Sequence, residues 1–186
     1  NPYSVPDLYD DMLNTYNTKK NAAFEFCEAE YFLAYKDGKL VGRVAAIINN
    51  RANETWNKKD VRFGWIDFID DMEVSKALIE AVAQWGGEKG MTSMIGPLGF
   101  TDMDAEGMLI EGFDQLSTMA TIYNYPYYPE HMVKLGFEKD ADWVEFKLTV
   151  PDRLPDKYIR ISQLILQKYK LKIKKLKNRK EIKQGK

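Results

Sequence analysis

The chain has 186 residues, 45% hydrophobic and 30% charged, which is enough apolar material for a buried core and argues against disorder. One cysteine, Cys27, and one histidine, His131, leave no internal disulfide and no zinc site of Cys and His, and no apolar run approaches the roughly 18 residues that cross a bilayer. Charge is near balance overall but divided: residues 1–150 hold 14 Lys/Arg against 25 Asp/Glu, whereas residues 151–186 hold 13 against 3. This composition predicts a metal-free, cytoplasmic protein with no membrane span. Asn1-Pro2 at the start, without an initiator methionine, leads us to expect that chain upstream is missing.

In chain order, the first 20 residues carry Pro2 and Pro6, then Asp7 as a candidate cap for a short helix through Asp11, Met12 and Tyr16. Asp37-Gly38 between the apolar runs 31–35 and 40–48 is a strong hairpin signal. The Asn-rich stretch 49–60 reads as loop, and the aromatic run 61–69 as a largely buried strand. Met72, Val74, Ala77, Leu78, Ala81, Val82 and Trp85 then recur at helical spacing, with a stop expected at Gly86-Gly87 and Gly90. A short strand over 91–95 ends at Gly96-Pro97. Residues 98–115 read as loop with at most a helical turn, 119–123 as a strand, 129–135 as a short helix, and 137–140 and 142–148 as strand, turn and strand. Alternating Leu171 and Ile173 with Lys170, Lys172 and Lys174 predicts one more strand over 169–176. The fold class is α/β (α+β): a mixed, mostly antiparallel sheet flanked by helices. The charge division places one domain at 1–150 and a basic helix/strand appendage at 151–186.

The order of hairpin 33–48 with Asp37-Gly38, strand and helix 64–85, strand 91–97, and Lys134-Leu135-Gly136-Phe137-Glu138 resembles the GNAT family of acyl-CoA-dependent N-acyltransferases. Ile95-Gly96-Pro97-Leu98, Glu111-Gly112-Phe113-Asp114 and Tyr123-Asn124-Tyr125-Pro126-Tyr127-Tyr128-Pro129 further resemble the N-terminal half of a bacterial GNAT-like group that carries a second domain after the first. The resemblance covers roughly residues 30–148. It implies acetyl-CoA or a longer acyl-CoA as co-substrate, a small-molecule amine or amino-acid-like acceptor near residues 98–128, and a second domain after this segment, begun by the strand over 169–176.

On that resemblance, the CoA-facing segment is Phe68, Ile69, Met72, Val74 and Lys76, around the first turn of the helix, where free backbone N–H groups meet a pyrophosphate. The family's glycine pattern is absent from this turn, and Asp70, Asp71 and Glu73 stand there instead, which equally suits a capped structural helix. Acyl transfer to an amine needs a base. Asp67, inside the aromatic strand, is the candidate, on the expectation that partial burial raises its pKa; the alternative is an ordinary strand-end carboxylate. Asp104, Glu106 and Glu111 are further carboxylates facing an acceptor. The family's acid tyrosine position is Met132 here, so Tyr127 and Tyr128 take the candidate acid role, against a reading as packed aromatics. His131 stands between a proton shuttle and a surface helix residue. The sequence contains neither a P-loop nor a nucleophile elbow.

Two classes of function follow: an N-acyltransferase, or a catalytically degenerate GNAT-like structural or ligand-binding domain of a larger protein. The basic tail 168–186 also raises a nucleic-acid or anionic-membrane reading. The acidic balance of residues 1–150 and the Lys/apolar alternation count against nucleic acid.

Overall fold

Asp37 and Gly38 both take positive φ, 51° and 74°, the backbone twist that a two-residue hairpin turn requires. They join strand β1, Cys27–Lys36, to strand β2, Lys39–Asn49, in an antiparallel pair running from Lys36↔Lys39 to Cys27↔Asn49. This computed structural model describes residues 1–118 and 121–178. Its other strands are β3, Asp60–Phe68, antiparallel to β2, and β4, Ser93–Ile95, parallel to β3; the sheet order is β1-β2-β3-β4. Among the described residues five α-helices accompany it: α1 Tyr9–Thr15, α2 Asn50–Trp56, α3 Met72–Glu88, α4 Tyr127–Lys134 and α5 Asp156–Lys168. This is the mixed, mostly antiparallel α+β class that the hydrophobic pattern predicts.

Alternation along β2 builds two cores. Val44, Ala46 and Ile48 face α3 and α4 with Phe63, Phe68, Val74, Leu78, Val82, Tyr128 and Met132. Ala45 and Ile47 face the opposite way, with Ala23, Cys27 and Phe100. Each fully buried side chain such as Phe63 or Ile47 contributes about 1.5–3 kcal/mol.

Helix α3 begins where the sequence places it, with Asp71 as N-cap accepting from Glu73 N. It runs past Gly86-Gly87 to Glu88 and stops at Gly90, which takes φ 80°. Gly86 packs against β3: a Cβ there would lie 2.7 Å from Val61 Cγ1. That glycine serves close approach rather than termination. Helix α1 forms, but its N-cap is Leu8 rather than Asp7. Helix α2 occupies the stretch read as loop; Asn49 caps its start by accepting from Ala52 N at 2.8 Å, and Asn57 ends it at φ 51°. Asparagines at both caps, with little apolar periodicity between them, make such a helix look like a loop.

The late strands read from the sequence are not formed. Residues 121–123, 137–148 and 171–177 take no regular structure; Met119 and Ala120, and the tail beyond 178, lie outside the described residues. Alternation marks a strand-compatible segment, but a strand also needs a ladder partner, and Trp143, Val144, Phe146 and Leu148 are all exposed.

The first compact unit runs Asn1–Trp143 and the second begins at Val144. The second unit holds α5, an amphipathic helix with no buried residue. Among the described residues no helix is long and apolar enough to cross a membrane.

Candidate functional site

Strand β3 is irregular at one place. Arg43 pairs with Asp67 and Ala45 with Gly64, so Trp65 and Ile66 together face the single residue Val44. This is a β-bulge, with the ladder locally opened and the following side chains re-aimed. Trp65 takes φ 46°, a left-handed conformation uncommon for a bulky residue. Its ring lies 5.3 Å from that of Tyr16 and 5.7 Å from that of Phe100, and this packing holds the bulge in place.

On its other side, β3 parts from β4. The parallel pairing covers Asp60↔Ser93 to Arg62↔Ile95. One further bond follows, from Leu98 N to Phe63 O at 2.9 Å. Beyond it, the N-terminal turn of α4 covers the strand. Tyr127 Oη donates to Phe68 O at 2.7 Å, while Tyr128 Oη accepts from Phe68 N at 3.2 Å. The Tyr128 hydroxyl also donates to Asp67 Oδ1, and its ring stacks on Phe68 with centroids 4.2 Å apart. Burial, with the bond to Asp67 second, pushes the Tyr128 phenol well above its ordinary pKa; Tyr127 is raised chiefly by burial too. Both stay protonated across the neutral range.

The structure thus brings together Asp67, Tyr127, Tyr128 and Phe68, which the sequence separates by about 60 residues. The burial expected for Asp67 is not found. Its side chain is 62% exposed, with Arg43 Nε 4.0 Å from Oδ2. Exposure follows from the bulge, which sets Asp67 beside Arg43 on the open face of the sheet.

A second group lies one helical turn along. His131, read either as a shuttle or as a surface residue, has a side chain only 3% exposed. Its Nε2 lies 2.9 Å from Asp70 Oδ1 and its Nδ1 2.9 Å from Ser75 Oγ. A carboxylate only accepts, so Nε2 carries a ring proton toward Asp70, while the Ser75 hydroxyl at Nδ1 also lies 3.2 Å from Met72 O as a donor. The order resembles a nucleophilic triad, but the hydroxyl is the buried end and the carboxylate the exposed one. The arrangement ties α4 to the start of α3 rather than presenting a nucleophile.

The remaining candidates are dispersed. Phe68 and Val74 are core residues; Ile69 is exposed, and Met72 is half-buried. Lys76 is exposed and pairs with Glu80 at 3.7 Å. In the first turn of α3, Asp71 Oδ1 accepts from Glu73 N at 2.9 Å, and Asp71 O accepts from Val74 N and Ser75 N. Lys36, 35 residues before Asp71 in the chain, reaches Asp71 at 2.7 Å and Glu73 at 3.2 Å. Its bond holds the Asp71 carboxyl below the usual range. A pyrophosphate at this turn would meet two carboxylates and N–H groups already in use, so these residues do not fit one. Asp104 is engaged as acceptor from Thr101 N at 2.9 Å; burial, with Asp102 adding to it, raises the Glu106 carboxyl. Glu111 is exposed. Among the described residues no cluster of three His, Cys, Asp or Glu is arranged to hold a metal.

Over 141 residues, 76% of this chain, the sequence is 32% identical to Protein YghO of Escherichia coli (strain K12), covering 36% of that protein. Over 156 residues, 83% of this chain, it is 26% identical to Bacterial ceramide synthase of Caulobacter vibrioides (strain NA1000 / CB15N), covering 41% of that protein. The chain therefore spans about two fifths of the length of the curated relatives it matches. No family model and no solved structure matches it.

Proposed function

We propose that this chain carries an acyl-transfer site of the N-acyltransferase type, with Asp67 as the base that takes a proton from an amine acceptor and an acyl-CoA as donor. The observation that carries the reading is the Asp67 carboxylate itself. Its side chain is 62% exposed and is held at Oδ1 by the Tyr128 hydroxyl, at the point where β3 bulges and parts from β4. A base must be ionised, oriented and reachable, and Asp67 meets the last two requirements by geometry. Similarity to a relative whose name assigns it the synthesis of ceramide supports an acyltransferase-like role, and the ordered GNAT-like motifs point the same way.

The amine nitrogen attacks the acyl carbonyl carbon, the C–N bond forms and the C–S bond breaks. The proton lost by the amine passes to Asp67 and from there to the departing thiolate, so the carboxylate is restored. In this scheme Tyr127 and Tyr128 are positioning residues. The hydroxyl of Tyr127 is committed to Phe68 O, and that of Tyr128 to Asp67 and Phe68 N.

The first turn of α3, closed by Asp71, Glu73 and Lys36, favours a second reading, a GNAT-like domain that no longer binds acyl-CoA and serves a larger protein as a structural or ligand-binding part. Thiol release from acetyl-CoA and long-chain acyl-CoAs, measured with a panel of amines, separates the two. The first reading expects amine-dependent thiol release that Asp67→Asn slows about 10²–10⁴-fold with donor affinity nearly intact. Absence of release together with no thermal stabilisation by any acyl-CoA would establish the second.

A further inference from the structure

The second unit holds one helix whose two sides differ in chemistry. At 3.6 residues per turn, α5 turns Tyr158, Ile161 and Ile165 to the centre of one face, with Leu164 at one margin and Ile159 at the other. Arg160, Gln163 and Gln167 occupy the back. An apolar face of this width is normally packed away, yet none of its residues is buried, and Tyr158 is 63% exposed. Lys157 and Lys168 stand in the first and last turns beside the apolar arc, where a lysine stem lies along apolar surface while its ammonium reaches outward. The helix ends in a Schellman turn: Leu171 N donates to Leu166 O at 2.9 Å, Lys170 N to Gln167 O at 3.3 Å, and Lys170 takes φ 51°. A lysine run follows directly, with Lys170, Lys172, Lys174, Lys175 and Lys177. From 156 to 177 there are eight Lys/Arg and a single acid, Asp156.

We propose that α5 lies flat in the headgroup layer of an anionic lipid bilayer, with Tyr158, Ile161 and Ile165 toward the acyl chains and the lysine run on the acidic headgroups. Two signals on consecutive residues select this occupant. The apolar face alone would suit another protein surface, and the lysines alone would suit any polyanion. A bilayer with acidic headgroups answers both at once. Nucleic acid would neutralise the lysines and leave the apolar face in water. With 13 residues the helix is about 20 Å long, short of the roughly 30 Å of hydrocarbon in a bilayer, so it rests in the interface rather than crossing it. The inference stands apart from the acyl-transfer reading, since every residue it uses lies between 156 and 177.

Flotation of the intact protein with vesicles of phosphatidylcholine alone, or of phosphatidylcholine and phosphatidylglycerol in equal parts, tests this. Binding is expected to the anionic vesicles only, and to fall in 1 M salt. Ile161→Glu and Ile165→Glu are each expected to weaken it at least about tenfold, and Lys172→Gln and Lys174→Gln about fivefold each. All four positions are exposed, so a circular-dichroism melt of each variant should match that of the parent protein. Insertion has its own signature. Ile161→Trp is expected to add blue-shifted emission that brominated acyl chains quench, and Gln163→Trp, on the back of the helix, to add emission that they leave alone. Equal binding to both kinds of vesicle overturns the proposal. So does anionic binding untouched by Ile161→Glu, which would make the lysines a general polyanion site that random duplex DNA competes for. No flotation of the intact protein also overturns it, and would mean that another protein segment covers the face.

Discussion

The Tyr128 hydroxyl donates to Asp67 Oδ1 and accepts from the backbone N–H of Phe68 at 3.2 Å, so one phenol both orients an exposed carboxylate and satisfies a strand edge. Burial, then Asp67, raises the pKa of that phenol in the folded chain above the ordinary value of 10.0. A raised pKa contributes stability that is fully present below the unfolded value and is lost as pH climbs through it. Urea unfolding between pH 8 and pH 11 is expected to show stability falling above about pH 10, and Tyr128→Phe to fall less steeply from a lower starting point. Equal slopes in the two chains would contradict the assignment.

Trp65 at φ 46° makes an unusual prediction for a strand. Glycine in a strand interior ordinarily weakens it relative to alanine, but alanine in the left-handed region carries a penalty of about 1–2 kcal/mol that glycine escapes. Both substitutions lose the contacts with Tyr16 and Phe100. Trp65→Gly is therefore expected to be more stable than Trp65→Ala by about 1 kcal/mol, read from chemical denaturation. The opposite order would show that the bulge relaxes once the ring is gone.

Gly86 and Gly87 sit side by side in α3 and should respond with opposite signs. Nothing lies within 4 Å of a Cβ at Gly87, whereas one at Gly86 meets Val61 at 2.7 Å. Gly87→Ala is expected to raise stability by about 0.5–1 kcal/mol through helix propensity. Gly86→Ala should lower it by about 1–3 kcal/mol through overpacking. Thermal melts of the two variants decide the point.

The Lys36 bond to Asp71 holds that carboxyl below its usual range. A depressed carboxyl contributes stability above the unfolded pKa that disappears as pH falls toward the folded value. Acid unfolding below about pH 4 is expected to shift to higher pH in Lys36→Met, with 1 M salt reducing the difference because the pair is exposed. An unshifted acid transition would mean that the lysine plays no part in holding the cap.

What could be read beforehand was local. Asp37-Gly38 determines its own turn, and the spacing from Met72 to Trp85 determines an amphipathic helix; both depend on residues a few positions apart. The strands expected over 142–148 and 169–176 were misread because alternation describes a segment's two faces and not its partner. Helix α2 was missed because its capping asparagines are also turn formers. At the site, Asp67, Tyr127 and Tyr128 were visible as residue types. Their meeting was not, because it depends on α4 reaching a strand some 60 residues earlier. Lys36 at the start of α3 was hidden for the same reason.

The parting of β3 from β4 has a consequence for how this chain behaves among other chains. A strand that loses its neighbour offers a row of free N–H and C=O groups, a template for any extended segment that drifts past. At Phe68 both groups are taken by phenol oxygens, which bond the backbone yet cannot extend a ladder. Tyr127 and Tyr128 thus act as end-stops on the sheet. Removing both hydroxyls would expose a growth edge for intermolecular β-pairing as well as disturbing Asp67.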